Sequence, residues 1–136
     1  MAHTRHRKFN TGDTYSNQKL DNDLCQAVKA GNTIYLRGQV GTNFEGETIG
    51  KLGTTKGDTC HVDVKQLLEE VGSELSHIVK ITIFITDRAY REPVYREVGK
   101  WLKGVFPVCT GLIVQGLAQP QWVMEIDVIA VIPDDA

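Results

Sequence analysis

One segment near the middle of the chain alternates apolar and polar side chains so regularly that it constrains the fold more than any other. Within residues 78–86, four β-branched residues are separated by single intervening residues; they are Val79, Ile81, Ile83 and Ile85. A period of two sends successive side chains to opposite faces of a strand, so the segment predicts a β-strand. The chain has 136 residues, the size of one domain, and the apolar face of this strand must be covered by other elements of it.

Two helices are predicted on either side of this strand. Before it, apolar residues recur at helical spacing from Cys60 to Leu75, and Gly72 is placed to cap the end of the helix. After it, a second apolar stripe runs from Val94 to Val105, with Pro93 in the first helical turn.

Four further segments have the composition of strands. They are residues 24–29, 33–40, 108–114 and 122–132, and the first two form a hairpin across a Gly-Asn turn. The predicted order is β-β-α-β-α-β-β. Because both helices can cover the same side of one sheet, this order predicts an α+β two-layer sandwich.

The face of the sheet turned away from the helices is expected to be apolar as well. We assign to it Phe84, Met124, Ile126 and Val128. An apolar face that the chain's own helices leave open must be buried by another subunit, so the pattern predicts an oligomer.

Charge and hydropathy exclude several classes of partner. Fifteen basic residues against 17 acidic ones give a net charge of −2, which provides no general attraction to nucleic acid, so nucleic-acid binding is not expected. The basic run from Met1 to Lys8 is interpreted as a solvated arm, although such an arm can touch phosphates. No apolar run approaches the roughly 20 residues that span a bilayer, so no membrane association is expected.

The cysteines favour a reducing compartment. Cys25, Cys60 and Cys109 are odd in number and make no disulfide framework. Since the basic N-terminus also lacks the apolar region of a secretory signal, we expect a cytoplasmic protein.

Five segments, taken in order, resemble the RidA/YjgF family, whose older labels include endoribonuclease L-PSP. Residues 30–39 resemble the "aG..iyvSGQ" strand, residues 67–75 the end of the first family helix, and residues 78–87 the "dvvKttvfl.D" strand. Residues 106–110 stand where the family has "fPARS", and residues 125–130 where it has "vEIeaiA". The resemblance runs from about Tyr15 to Ile132. It places the domain at residues 15–132, an N-terminal tail at 1–14 and a C-terminal tail at 133–136.

The resemblance implies more than the residue pattern does. It implies the chorismate-mutase-like fold, a homotrimer with the sheets facing its centre, and a small-molecule site in each cleft between subunits. It also implies a hydrolase without cofactor or metal, which deaminates reactive enamine and imine intermediates to 2-keto acids and ammonia.

Two departures from the family pattern concern the site itself. The arginine of "PARS", which holds the substrate carboxylate in the deaminases, is replaced here by Cys109. A thiol cannot make the two parallel charge-assisted hydrogen bonds of a guanidinium. The serine of "SGQ" is replaced by Arg37, so an arginine lost at one position is gained at another, where it is expected to meet an anionic ligand.

Each candidate site residue has a functional and a structural interpretation. Glu125 either orients the attacking water or forms an ion pair, since a carboxylate in an apolar strand is costly unless it is paired or wet. Arg37 either anchors an anion or pairs with Glu125 or Asp127 across the subunit interface. Tyr15 either donates to a ligand or packs at a subunit interface, and Cys109 is either a reactive thiol or a small strand residue.

The resemblance also places Gly38, Cys109 and Thr110 at the cleft as substrate-binding residues. Cys60, His61 and Asp63 are poorly spaced to bind one metal ion, because adjacent helical side chains point about 100° apart. We therefore predict no metal and no cofactor.

Two functions remain open from the sequence. One is an imine deaminase with an altered pocket, in which Glu125 handles the water and Arg37 the substrate anion. The other is a trimeric ligand-binding or sensing protein that kept the cleft and lost catalysis, which the replacement at Cys109 favours. Ribonuclease activity ranks last because of the negative net charge.

Overall fold

The computed structural model describes residues 2–14, 19–40 and 56–134, which form one six-stranded sheet with two long helices. The elements are β1 (Thr4–Phe9), α1 (Thr11–Thr14), β2 (Leu24–Ala30), β3 (Thr33–Gln39), α2 (Lys56–Glu70), β4 (Ile78–Ile85), α3 (Arg91–Trp101), β5 (Val108–Ile113) and β6 (Met124–Val131). The predicted α+β sandwich is confirmed, and the predicted element order holds from β2 onward, with β1 and the short α1 added before it.

The strands lie in the order β1-β2-β3-β6-β4-β5. All neighbouring pairs are antiparallel except β4 and β5, which α3 connects in parallel. The last strand, β6, therefore enters the sheet between β3 and β4. The two edge strands of the sheet are β1 and β5.

Both long helices pack on the same face of the sheet. Their buried side chains, which include Leu67, Leu68 and Val94, are fully enclosed against Ile34 of β3 and Ile83 of β4. This single layer of helices fixes which residues of each strand are covered and which face outward.

The end of α2 follows the predicted cap. Gly72 adopts φ +87°, and Ser73 N–H donates to the carbonyl of Leu68 at 2.8 Å, while Gly72 N–H donates to Glu69 at 3.1 Å. This pair of bonds is a Schellman motif, which needs a residue that tolerates the left-handed region.

The sequence-based assignment of the uncovered face was wrong for β6. Met124, Ile126 and Val128 are buried beneath the helices, at most 1% exposed, whereas Glu125 and Asp127 point to the other side. Both faces of β6 carry apolar residues, so its own alternation does not say which face meets the helices. The register with β4 decides it: Ile83, which is in the core, is paired with Ile126.

The start of β4 also differs from the prediction. The pairing of β4 with β6 shifts register between Ile78 and Lys80, which puts Ile78 in the core at 3% exposure and leaves Val79 46% exposed. A bulge changes which face the next side chain takes, and the alternation in the sequence does not reveal it.

The prediction of a solvated arm at the N-terminus was wrong for residues 4–9, which form the edge strand β1. This strand pairs with β2 and is held to the end of α2 by Glu70. Arg7 donates to the two oxygens of Glu70 through Nε and Nη2, both at 2.8 Å, and His6 Nε2 lies 2.7 Å from Oε1. These contacts lower the pKa of Glu70 from 4.5 to about 2, chiefly through the Arg7 hydrogen bonds.

Among the described residues, no helix is both long enough and apolar enough to cross a membrane.

Candidate functional site

The sheet face that the helices leave open carries a mixed polar and aromatic surface. Because side chains alternate along a strand, the residues between the buried positions of β3, β4 and β6 share this face. They include Tyr35, Arg37, Lys80, Thr82, Phe84, Glu125, Asp127 and Ile129. Four of these eight residues, Arg37, Lys80, Glu125 and Asp127, have acidic or basic side chains, and they lie on three adjacent strands.

Glu125 lies against the backbone of Gly38. A Cβ added at Gly38 would come within 2.6 Å of Glu125 Cδ and 2.9 Å of its Cγ, so glycine leaves the space that this side chain occupies. The pairing of β3 with β6 is irregular here, since Leu36 pairs with Val128 and Gln39 with Ile126. The extra residue of β3 brings the Gly38 backbone beside the carboxyl group.

The surroundings of Glu125 make protonation of its carboxyl group more favourable than it is in water. Burial raises the pKa of Glu125, the negative charge of Asp127 raises it further, and the positive charge of Arg37 lowers it. Burial also raises the pKa of Asp127. A carboxyl group in such a place can both accept and release a proton closer to neutral pH than a solvated one.

Arg37 is held on its outer side by Phe9 of β1. The guanidinium carbon lies 4.9 Å from the centroid of the Phe9 ring, a cation–π distance. Phe9 and the strand that carries it were missed from the sequence, because the residues of β1 before it are polar and give no apolar alternation.

A groove of about 410 Å³ runs across this face. Its polar and small lining residues are Tyr35, Arg37, Gly38, Lys80, Thr82 and Asp127. Asp127 is paired with Thr82 across β6 and β4, and Arg37 and Lys80 lie on the strands to either side of β6. Lys80 and Asp127 were not assigned to the site from the sequence.

Within this chain, Cys109 and Glu125 do not lie together. Its neighbour on β4 is the core residue Ile81, so its side chain faces the helices. There Sγ lies 3.8 Å from the hydroxyl of Tyr95, whose ring is stacked under Arg91 at 4.3 Å. The prediction that Cys109 binds substrate stays a prediction.

Thr110 is on the open face but at its far side. It neighbours Thr82 on β4, and Thr82 in turn pairs with Asp127. One row of open-face residues therefore crosses the sheet from β6 through β4 to Thr110 on the edge strand. Tyr15 lies outside the described residues.

The described residues contain no group of three or more His, Cys, Asp or Glu side chains that could hold a metal ion. Asp63, proposed above as a poor ligand, is buried in α2 at 3% exposure, and its Oδ2 has no hydrogen-bond partner among the described residues. Burial raises the pKa of Asp63 from 3.8 to about 7, which keeps this carboxyl group largely neutral in acid.

Comparison with known proteins places this arrangement in context. The family model described as Endoribonuclease L-PSP matches residues 17–132. A 2-iminobutanoate/2-iminopropanoate deaminase of Dermatophagoides farinae is 36% identical over 61 residues, which cover 44% of this chain and 48% of that protein. A RutC family protein of Pyrococcus abyssi is 39% identical over 64 residues, covering 46% and 50%. The chain thus spans about half the length of the curated relatives it matches.

Solved structures match over more of the chain. A YjgF family member from Neisseria meningitidis superposes with a TM-score of 0.76 at 22% identity, covering 98% of both chains. RidA from an Antarctic Psychrobacter gives 0.75 at 23% identity, covering 94% and 100%, and yeast Mmf1 gives 0.73 at 28%, covering 79% and 85%. The first two, being under 25% identical, support the fold alone.

Proposed function

Because this chain belongs to the Endoribonuclease L-PSP family, which its residues 17–132 match, we propose that it is a RidA-like deaminase that hydrolyses small imine or enamine intermediates. The observation that carries the proposal is the position of Glu125. Its carboxyl group is partly buried on the open sheet face, against Gly38, with the positive charge of Arg37 close enough to act on its pKa.

The proposed reaction needs little more than a positioned water and a proton carrier. A 2-imino acid and one water give a 2-keto acid and ammonia. Glu125 takes a proton from the water as its oxygen bonds to the imine carbon and passes it to the nitrogen, which gives a carbinolamine. It then takes the hydroxyl proton of the carbinolamine and passes it to the nitrogen as the carbon–nitrogen bond breaks, which leaves the 2-keto acid and ammonia. A carboxyl group with a raised pKa suits both steps.

Arg37 is proposed to hold the carboxylate of the substrate. Cys109, at the position where family deaminases carry the carboxylate-binding arginine, faces α3 in this subunit and offers a thiol rather than a guanidinium. Arg37 is on the same face as Glu125 and is oriented by Phe9. A planar guanidinium can make two parallel hydrogen bonds to a carboxylate and so fix the imine carbon beside Glu125.

We also propose that the chain assembles as a homotrimer, with the open sheet faces turned toward its centre. Tyr35 on the open face is 49% exposed, and the edge strand β5 and the turn before it leave Phe106, Val108 and Leu112 91%, 66% and 45% exposed. Apolar surface of this kind is typical of a subunit contact. Light scattering is expected to give three times the chain mass of 15.1 kDa, and a monomer at micromolar concentration would contradict the proposal.

The cytoplasm is the compartment that we propose. The support is that Cys25 and Cys109 are free thiols, as expected of a protein in reducing surroundings.

A ligand-binding protein without catalysis is the second candidate. The observation in its favour is Cys109, which removes the family's anchor for the substrate carboxylate. Such a protein would bind the same small anions in the same cleft without releasing ammonia.

An ammonia-release assay separates the two functions. The protein is mixed with 2-imino acids generated in situ from amino acids, and the rate is compared with spontaneous hydrolysis in buffer. We expect an acceleration that Glu125→Gln lowers by about 10²- to 10⁴-fold, the contribution typical of a general acid–base group. Binding of the 2-keto acid with no acceleration by the parent protein would favour the second candidate.

A further inference from the structure

Lys80 is a second cation in the groove, on the opposite side of Asp127 from Arg37. It lies on β4, where its neighbours are Ile129 of β6 and Val108 of β5. Arg37 lies on β3. With β6 between them, the two strands are about 10 Å apart, twice the ordinary spacing of neighbouring strands.

The ammonium group of Lys80 has no charged partner among the residues that the structure describes. Among the described residues, none makes a hydrogen bond or an ion pair with it, although it lines the groove and its side chain is exposed. Lys65 and Lys100 on the helices, in contrast, pair with Glu69 and Glu97 at 2.7 and 2.9 Å. An unpaired ammonium in a groove is a ready partner for an anionic group of a ligand.

The groove around Lys80 has polar and apolar parts, and its polar part suits such a ligand. The hydroxyl of Thr82 and the phenol of Tyr35 line the groove near it and can donate hydrogen bonds. A substrate whose carboxylate is held by Arg37 and whose reacting carbon is at Glu125 would extend its side chain across Asp127 toward Lys80. Leu36, Val128 and Ile129 also line the groove, so an acidic group is distinguished from an alkyl group by the charge of Lys80.

We infer that Lys80 selects substrates with a second acidic group, so that the preferred substrate class is the 2-imino acids derived from dicarboxylic amino acids. The inference rests on the proposed function and deepens it. Asp127 lines the same groove and Glu125 lies on the same sheet face, and these two carboxyl groups limit the preference when they are ionised. The expected effect is that of a solvent-exposed charge contact, about fivefold, rather than that of a buried ion pair.

The test compares three substrates on the full-length protein. The imines are generated from glutamate, 2-aminobutyrate and lysine, which end in a carboxylate, a methyl group and an ammonium. We expect kcat/KM to be about fivefold higher for the glutamate-derived imine than for the 2-aminobutyrate-derived one. Lys80→Met, which keeps most of the aliphatic stem, should remove this preference. Lys103→Met, at an exposed lysine outside the groove, should keep it.

The possible outcomes separate the substrate class from the reaction. Three outcomes would overturn the inference and leave the deaminase proposal intact. The glutamate- and 2-aminobutyrate-derived imines could react at equal rates, or the lysine-derived imine could be preferred. The third outcome is a preference for the glutamate-derived imine that Lys80→Met leaves unchanged. If no imine is hydrolysed, the deaminase proposal fails, and calorimetric titration with 2-oxoglutarate and 2-oxobutanoate decides the rest. A preference for 2-oxoglutarate that Lys80→Met abolishes supports the inferred ligand class, and its absence overturns it.

Discussion

The carboxyl group of Glu125 on β6 lies against the Cα of Gly38 on the neighbouring strand β3, in space that any larger residue at position 38 would fill. Two positions 87 residues apart in the sequence thus determine each other's identity. The glycine is required here for the room that it leaves, because it is not among the glycines with positive φ.

Gly38→Ala is expected to lower imine hydrolysis without unfolding the protein. The added methyl group would overlap the Glu125 side chain, which can move away because it is flexible, and a displacement of about 1 Å at a reacting group can cost up to about 100-fold in rate. The measurement is kcat/KM together with a thermal melt. Gly99→Ala is the matched control, since a Cβ at Gly99 in α3 meets nothing within 4 Å, and it should keep full activity. Full activity in Gly38→Ala would show that the position of Glu125 is not important.

The sequence indicates which residues come together at the centre of the candidate site better than it indicates the residues around them. Arg37, Gly38 and Glu125 were all expected at the cleft, and the structure brings the three together on β3 and β6. Phe9 was missed because β1 has no apolar period, and its attachment depends on a contact between Arg7 and Glu70 that spans 63 positions. Local patterning cannot reveal such a long-range pair.

The alternation of apolar and polar residues does not determine which face of a strand turns toward the helices. In β4 one face is apolar and the prediction holds for Ile81, Ile83 and Ile85, which are all buried. In β6 both faces carry apolar residues, so the choice between Met124 and Glu125 as the inward position depends on register with β4. A one-residue shift in register exchanges the two faces completely.

Asp63→Asn is expected to stabilise the protein at neutral and alkaline pH. Burial raises the pKa of Asp63 from 3.8 to about 7, so the folded chain keeps a proton that the unfolded chain releases between these two values. The free energy of unfolding therefore falls as pH rises through this window, by roughly 1.4 kcal/mol for each pKa unit at most. Asparagine has no charge to bury and should flatten this dependence.

The check for Asp63 is urea unfolding at pH 4, 6 and 8. Parent and variant should be nearly equal at pH 4 and diverge toward pH 8, with the variant more stable. Asp134→Asn, at an exposed position near the C-terminus, is the control and should show no such divergence. A variant that is less stable than the parent at pH 8 would mean that the Asp63 carboxylate is stabilised when ionised.

Glu70→Gln is expected to loosen β1 more than it destabilises the whole domain. Glu70 holds both His6 and Arg7, and its pKa is lowered from 4.5 to about 2 chiefly by the Arg7 hydrogen bonds. Its contribution is present above pH 4.5 and lost as pH falls toward 2. Because the pair is partly solvated, we expect a loss of only about 1 kcal/mol.

Amide hydrogen exchange measures this loosening directly. Protection in β1 and on the facing residues of β2 should fall in Glu70→Gln, while the core strands β4 and β6 remain protected. Glu69 precedes Glu70 by one residue and forms an exposed ion pair with Lys65. Glu69→Gln breaks that pair and should leave the protection of β1 unchanged. Unaltered protection of β1 in Glu70→Gln would show that backbone pairing with β2 is sufficient to hold it.

RNA binding is expected to be weak and to disappear with salt. The net charge is −2, and the basic residues of the N-terminal segment are partly engaged, since Arg7 is bound to Glu70. Fluorescence anisotropy with a single-stranded RNA should show any signal at 50 mM salt lost by 200 mM, because few phosphate contacts are available. A sequence-specific complex that persists at 200 mM salt would contradict this.

Arg37→Ala is expected to remove most of the deaminase activity. If Arg37 holds the substrate carboxylate, its loss removes a charge-assisted hydrogen bond of about 1.5–3 kcal/mol, which corresponds to about 10- to 150-fold in kcat/KM. Arg37→Lys keeps the charge but not the two parallel donors, and should fall between the parent and the alanine variant. Arg88→Ala, at an exposed arginine beyond β4, should behave as the parent does.

The pH profile distinguishes an anchor from a merely structural arginine. The charge of Arg37 lowers the pKa of Glu125 against the opposing effects of burial and Asp127. Removing that charge should therefore move the acid limb of the rate profile to higher pH, in addition to lowering its plateau. A lower plateau with an unmoved acid limb would separate Arg37 from Glu125. An unchanged profile would mean that another group binds the carboxylate. Cys109→Arg places a guanidinium on the edge strand and tests directly whether the carboxylate can be held from there.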